Sequence, residues 1–189
     1  MPDLSILYSP APYHIISYGT LLGSSIYQSF INGIVSYRAL PRPQFATLQA
    51  ALTPVYFALQ TALPVLMALT YPGLKSPSPL GATTTEPSSL TGFLQESNRW
   101  TVLAPIVTIF ALNAANLLWA GPVTTRIMKE RKHQETRDGK KYHEAGPQSK
   151  EMQRLNKAFG RMHGVSALTN LVGLGVTVWY GVLLAERLQ

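Results

Sequence analysis

The 189-residue sequence has no cysteine, which removes disulfides, zinc ribbons, thiolate clusters and cysteine nucleophiles together. Acidic residues are scarce, nine in all, and none falls in the four longest charge-free windows of the chain. A di-iron carboxylate centre or a carboxylate proton relay therefore has neither ligands nor carriers there. His14 opens the first window on one side and His163 the last on the other, about a membrane thickness apart, which argues against bis-histidine haem. His133 and His143 stand in a charged segment without metal-ligand spacing, so neither a metal nor any other cofactor is expected. No N-x-[ST] sequon occurs. The start lacks the basic region of a secretory signal and its apolar run is too long for a cleaved one, so it is expected to remain as a helix. An Arg-rich, acid-poor import presequence is absent too.

What is present is oil, in blocks. Hydrophobic residues make up 46% and charged residues 13%, yet the mean hydropathy is only +0.08, because the two kinds are segregated along the chain. Four windows hold the roughly 20 apolar residues that a spanning helix needs. They predict helices at about 13–37, 45–71, 100–121 and 164–185, an all-α, polytopic bundle of four transmembrane helices in one membrane domain. Pro54 and Pro64 in the second window predict kinks of the kind membrane helices tolerate. Stretches such as Val102 to Leu112 show no polar stripe at helical spacing, which disfavours a soluble bundle.

The basic residues alternate in side. Arg38 and Arg42 follow the first window, and the segment 122–163 carries most of the remainder, including Arg126, Lys129, Arg131, Lys132 and Arg137. The opposite side has only Lys75, Arg99 and Arg187. Cytosolic loops retain Lys and Arg, so 122–163 is expected in the cytosol and both termini on the lumenal or extracellular face. Endomembrane or plasma membrane is the expected location, with a mitochondrial membrane as alternative. The net charge of +7 thus fits anionic lipid headgroups and not nucleic acid. The Pro-, Ser- and Thr-rich loop 72–99 reads as a mobile cap. Within the basic loop, Met152, Leu155, Phe159 and Met162 recur at helical spacing. They mark either an amphipathic helix lying on lipid or a solvated continuation of the last helix.

Amides inside lipid are costly unless paired. Asn32, Asn113, Asn116 and Asn170, with Gln28 and Gln49, all fall toward the cytosolic ends of their helices, bordered by Arg38, Arg42, Arg126 and His163. Two readings of this zone stay open: an interhelical hydrogen-bond network, or a polar cavity that accepts an anionic headgroup or small solute. Gly19, Gly23, Ser29 and Gly33 in the first helix and Gly173 in the last form small-residue rows. These suit close packing within the bundle, with a dimer interface as the alternative.

Three blocks carry a resemblance. Phe30, Gly33, Tyr37, Arg38, Leu40, Pro41, Arg42 and Phe45 form the first, and Asn116, Trp119, Pro122, Thr124, Thr125 and Met128 the second. His163, Gly164, Ser166, Leu168, Asn170 and Leu171 form the third. In this order they are similar to the motifs of the transmembrane protein 205-like family, small four-helix membrane proteins of eukaryotes. The resemblance implies the architecture already read from the windows and no reaction. The expected function is a non-enzymatic binding or accessory component, as subunit of a larger membrane complex or as homo-oligomer. A small transporter or lipid-handling protein is the alternative.

Overall fold

A computed structural model describes residues 4–73, 75–77, 83–85 and 87–186. A 3₁₀ turn, Leu4–Tyr8, leads into helix α1, which spans 11–39 as α-helix Ala11–Ile26, a π-helical stretch Tyr27–Asn32 and α-helix Gly33–Ala39. Leu40 precedes a proline and is extended (φ −110°, ψ 142°), which stops α1. Pro43 in the first turn then starts α2, Arg42–Leu69, which runs unbroken through Pro54 and Pro64. A two-stranded antiparallel ribbon follows, β1 (Lys75–Pro77) against β2 (Thr83–Thr85), and then the short helix α3, Ser89–Phe93. Helix α4 runs Glu96–Asp138, with π-helical stretches at Arg99–Leu103 and Asn116–Ala120, and ends where Gly139 takes the left-handed conformation (φ 62°). Helix α5, Lys150–Glu186, is capped by Ser149, whose Oγ accepts from the Met152 N–H at 3.1 Å.

The four long helices pack in a ring: α1 touches α2 and α5, and α4 touches the same two from the other side. The ribbon, α3 and the start of α1 lie at one end, called here the cap end. The Arg42 start of α2 and the far parts of α4 and α5 make the basic end. The apolar core sits in the cap half, where Leu21, Met67, Val102 and Ile109 are fully or almost fully buried.

Three of the helices, α2, α4 and α5, are long and apolar enough to cross a membrane. Helix α1 is outside that set, since Ser, Thr, Tyr, Gln and Asn residues interrupt its Ile and Leu. The outside of the ring is apolar, and Trp100 and Trp119 on α4 are 78% and 56% exposed. Nineteen residues separate these two tryptophans, about 28 Å of helix, close to the thickness of bilayer hydrocarbon between its two aromatic belts.

Helices α4 and α5 both outrun the windows read from sequence. The expected loop 122–163 is mostly a helical hairpin, because Lys, Glu, Arg and Gln are good helix formers and simply prolong the spans. Its apolar face turns into the hairpin: Met152 and Leu155 are buried where α5 meets α4. The continuation of the last helix is therefore what the chain adopts, and the lipid-lying helix is not. The cap expected over 72–99 falls partly on residues outside the described ones. Its described portion from Pro87 onward is folded onto the bundle: the Ser89 N–H donates to Tyr71 O at 2.7 Å, and Asn98 Nδ2 to Gly92 O at 2.9 Å.

The small-residue rows are corrected in part. A methyl group added at Gly19 or Gly23 would meet nothing within 4 Å, so the G-x-x-x-G row faces outward and holds no partner helix within the chain. Gly33 likewise meets only its own helix, Gln28 O at 3.9 Å, whereas Gly173 lies against Asn113 and Leu112. Ser29 does bridge α1 and α5, through Asn170. The tight α1–α5 approach is at Gly181, where a side chain would collide with the Tyr18 hydroxyl. Gly181→Leu is accordingly expected to cost about 1–3 kcal/mol in detergent unfolding, and Gly19→Ala or Gly23→Ala less than about 0.5 kcal/mol. Equal losses at the three positions would contradict this contact.

Candidate functional site

Polar groups inside the ring form three layers. At the cap end His14 is fully buried. Its Nδ1 lies 2.9 Å from Met67 O and its Nε2 2.7 Å from the Tyr180 hydroxyl. A carbonyl only accepts, so Nδ1 carries the proton toward Met67, and Nε2 shares a hydrogen bond with the Tyr180 hydroxyl. Tyr71 stands edge-on to the imidazole and donates to Asn98 Oδ1 at 3.2 Å, which ties α1, α2, α4 and α5 together.

The middle layer centres on Gln60 of α2, 1% exposed. Its Nε2 donates to Ser24 Oγ at 2.6 Å, and its Oε1 accepts from Ser25 Oγ at 2.9 Å. One turn along α2, the Tyr56 hydroxyl donates to Asn170 Oδ1 at 2.7 Å, while Asn170 Nδ2 donates to Ser29 Oγ at 2.9 Å. Every amide here is matched by a partner on another helix, so this layer is a packing network. Gln60→Leu is expected to cost about 1–2 kcal/mol, because two interhelical hydrogen bonds are lost at once, although Ser24 keeps Thr20 O and Ser25 the Tyr56 hydroxyl. A thermal unfolding shift in detergent too small to measure would show the layer to be hydrated.

The third layer is at the basic end, and it is open. A cleft of about 460 Å³ runs between α2 and α4, lined by Thr53, Pro54 and Phe57 on one side and by Asn116, Leu117, Gly121, Pro122, Thr125, Arg126 and Lys129 on the other. Asn116 is fully buried; its Nδ2 reaches Ser166 O at 3.3 Å, but its Oδ1 has no partner. The π-helical stretch Asn116–Ala120 shapes this wall. Gly121 is required by it, since a Cβ there would stand 2.8 Å from Asn116 O. Two more buried polar atoms without partners, Gln49 Nε2 and Arg42 Nη1, belong to α2 residues four and eleven positions before Thr53, on the same helical face.

Of the eight residues singled out from sequence, the cleft unites two, Asn116 and Arg126. Asn170 belongs to the middle network. Asn32 is buried but bonds along its own helix, donating to Gln28 Oε1 at 2.9 Å and accepting from Ser36 Oγ at 3.1 Å. Asn113 donates to Ile109 O one turn back. The Arg42 guanidinium covers the Tyr37 ring at 3.4 Å, Arg38 is exposed, and His163 is exposed and stacked on Phe159. The amides do not converge on one cavity: helix rotation sends each to a different neighbour. Thr53 and Phe57 were not among the site residues expected from sequence, and Lys129 was expected only as one of the basic residues of 122–163. Their only signal is spacing, four residues between Thr53 and Phe57 and between Thr125 and Lys129.

This fold, a ring of long helices with polar layers inside, an apolar outside that carries the exposed Trp100 and Trp119, and a basic hairpin at one end, defines an α-helical membrane protein. The chain belongs to the DUF4149 family, a domain of unknown function, whose match covers residues 16–133 and so includes both walls of the cleft. It is also similar to Xanthocillin biosynthesis cluster protein D of Aspergillus fumigatus, 33% identical over 177 residues, which cover 94% of this chain and 90% of that protein. No solved structure matches it.

Proposed function

We infer that the chain is a non-enzymatic, four-span membrane protein acting as a binding or accessory component, with its ligand site in the cleft and the basic end in the cytosol. The cleft carries this reading: among the described residues it brings Asn116, a buried amide whose oxygen has no partner, and two cations, Arg126 and Lys129, to the lining of one opening. Helix α1 supplies the fourth span, since 11–39 is about 40 Å long and its Ser17, Ser25 and Asn32 are buried. The alternation of basic residues supports a cytosolic hairpin with both chain ends on the other side, in an endomembrane or the plasma membrane. Arg38 and Arg161 are exposed at the basic end, where each cation beside anionic lipid contributes about 1 kcal/mol. The resemblance to transmembrane protein 205-like proteins fits the same architecture. The Aspergillus relative is named for a biosynthesis cluster, which suits a membrane accessory to small-molecule synthesis. Transport would need a polar path across the bundle, and the apolar core of the cap half stands in its way.

Because the chain lacks cysteine, single substitutions test this directly. In sealed vesicles Thr125→Cys is expected to react with an impermeant maleimide from the cytosolic side about as fast as Lys129→Cys, and Asn170→Cys to be protected. Full protection of Thr125→Cys removes the cleft as a site, and labelling of Lys129→Cys only from the lumenal side reverses the topology.

A further inference from the structure

Resting on that reading, the order of residues along the two walls narrows what the cleft takes. Toward the basic end, residue numbers fall along α2 and rise along α4. On α2 the lining passes outward from Phe57 to Thr53, one turn, and on α4 from Leu117 through Thr125 to Arg126 and Lys129. Apolar surface is therefore innermost, two hydroxyls follow, and two cations stand at the mouth. Asn116 closes the inner end with its amide turned to Ser166 O of α5 at 3.3 Å, and serves only as wall.

Thr47, Thr61 and Thr124 donate to the carbonyl four residues back, but Thr53 and Thr125 make no hydrogen bond among the described residues, so both hydroxyls are free to donate into the cleft. Arg126 Nε donates to Glu130 Oε1 at 3.0 Å, an exposed pair that leaves the guanidinium further donors, and Lys129 is exposed on the same face. Two cations against one carboxylate leave the mouth with a surplus of positive charge. One turn further out the same face carries Lys132. The nearby carboxylates, Glu130 and Glu135, are already paired with Arg126 and Lys132, so a ligand's own cation finds no partner there. Depth in the membrane agrees with this order. Arg126 lies seven residues outward of Trp119, about 10 Å, and its side chain shortens that distance by reaching back toward the phosphate plane.

We propose that the cleft holds a diacyl glycerophospholipid of net negative charge, drawn from the leaflet on the basic side. Its phosphate lies against Arg126 and Lys129, and its ester carbonyls, which only accept, take the Thr53 and Thr125 hydroxyls. One acyl chain runs inward past Pro54, Phe57 and Leu117. From Arg126 to Leu117 is nine residues, about 13 Å of helix, a span that one such molecule covers from its phosphate to the first part of its chain. A bilayer already holds the lipid in this order, so it slides in sideways between Pro54 and Pro122, both exposed.

The test is native mass spectrometry of the full chain in mild detergent, titrated with phosphatidylglycerol, phosphatidylcholine of the same chains, and glycerol phosphate. Phosphatidylglycerol is expected to bind about fivefold more tightly than phosphatidylcholine, the factor that one surplus cation at a membrane surface supplies. Arg126→Ala with Lys129→Ala brings that ratio close to one. Lys150→Ala with Lys157→Ala, which removes two exposed cations of α5 outside the cleft, leaves it unchanged. Thr53→Val with Thr125→Val weakens both lipids about threefold and keeps the ratio, because the esters are common to both. Glycerol phosphate, which lacks the chains, is expected not to compete. Equal loss of preference in the two charge pairs would reflect general attraction of anionic lipid to the basic end and overturns the proposal, as does unaltered affinity in the threonine pair. Competition by glycerol phosphate overturns it as well and assigns the site to a free phosphoester. Labelling of Thr125→Cys distinguishes failure of the lipid from failure of the cleft. In vesicles of phosphatidylcholine alone it is expected to react from the cytosolic side, and added phosphatidylglycerol to slow it about fivefold relative to Lys150→Cys, by the same preference. Labelling indifferent to phosphatidylglycerol refutes the lipid and keeps the cleft, whereas protection already in phosphatidylcholine refutes both.

Discussion

Replacing His14 with alanine is expected to lower the stability of the folded chain by about 3–5 kcal/mol, the largest single loss anticipated for a residue outside the cleft. Two effects combine. The ring is fully buried, and truncation of a side chain of that size leaves a cavity whose cost for comparable core residues is about 2–5 kcal/mol. The substitution also removes the donor to Met67 O and the ring partner of the Tyr180 hydroxyl from a fully buried setting, at about 1–3 kcal/mol for each group left unmatched. The terms overlap, so their plain sum overstates the loss. His14→Phe refills the volume without the hydrogen bonds and is expected to recover about half. Tyr180→Phe, which removes one bond and no volume, is expected to cost about 1–2 kcal/mol. Unfolding by heat or denaturing detergent measures all three. If His14→Ala unfolds within about 0.5 kcal/mol of the wild type, the imidazole is not the tie between α1, α2 and α5 described above.

That tie was only half legible in the amino-acid sequence. His14 was visible as a titratable residue at the edge of an apolar window, but nothing in the order of residues shows that Met67 and Tyr180 meet it. The three come together only because α1 lies between α2 and α5 in the ring. Helix existence was plain from uninterrupted apolar length, since a span is a one-dimensional property of composition. Helix ends were not, because Gln, Lys, Glu and Arg are excluded from lipid and yet favour helix, so the hydropathy signal stopped at about residue 121 while the backbone continued to Asp138. The outward-facing Gly19 and Gly23 show the same limit in another form: small residues permit close approach without saying from which direction a partner comes. Gln60 is the instructive omission. A lone amide at the centre of an apolar window is costlier to leave unpaired than amides near its ends, so it should have drawn more attention than Asn32 or Asn113. The cleft was partly legible, through Asn116 and Arg126, because depth in the membrane follows from position in the sequence. Which face of the helix each residue occupies depends on the π-helical stretch Asn116–Ala120, and that stretch has no sequence signature.

The hairpin beyond the membrane is held by a contact whose loss should be read most strongly by proteolysis. Arg131 of α4 is 8% exposed, and its guanidinium lies 3.9 Å from the Tyr142 ring centre and 4.5 Å from that of Phe159. Burial lowers its pKa from the ordinary arginine value, with Tyr142 and Glu135 acting in the opposite sense, and arginine stays charged throughout the accessible pH range. Around it, Gln134 Nε2 and Ser149 Oγ both donate to Asp138, and the Tyr142 N–H donates to Glu135, so the turn between the two limbs is anchored to the same few residues. Two cation–π contacts in a desolvated setting contribute about 1 to 2 kcal/mol each. Arg131→Ala is therefore expected to weaken closure of the hairpin by about 2–3 kcal/mol, which raises the population of the opened turn about 30- to 150-fold. Trypsin cutting at Lys140 and Lys141 should accelerate by a similar factor where opening limits access, while the unfolding of the spans stays close to that of the wild type. Arg131→Lys separates the two contributions. It keeps the charge but loses the planar stack on the rings, so an intermediate acceleration is expected. Cleavage unchanged in both variants would mean that the limbs are joined by Met152 and Leu155 alone, and the basic hairpin would then owe its rigidity to apolar packing.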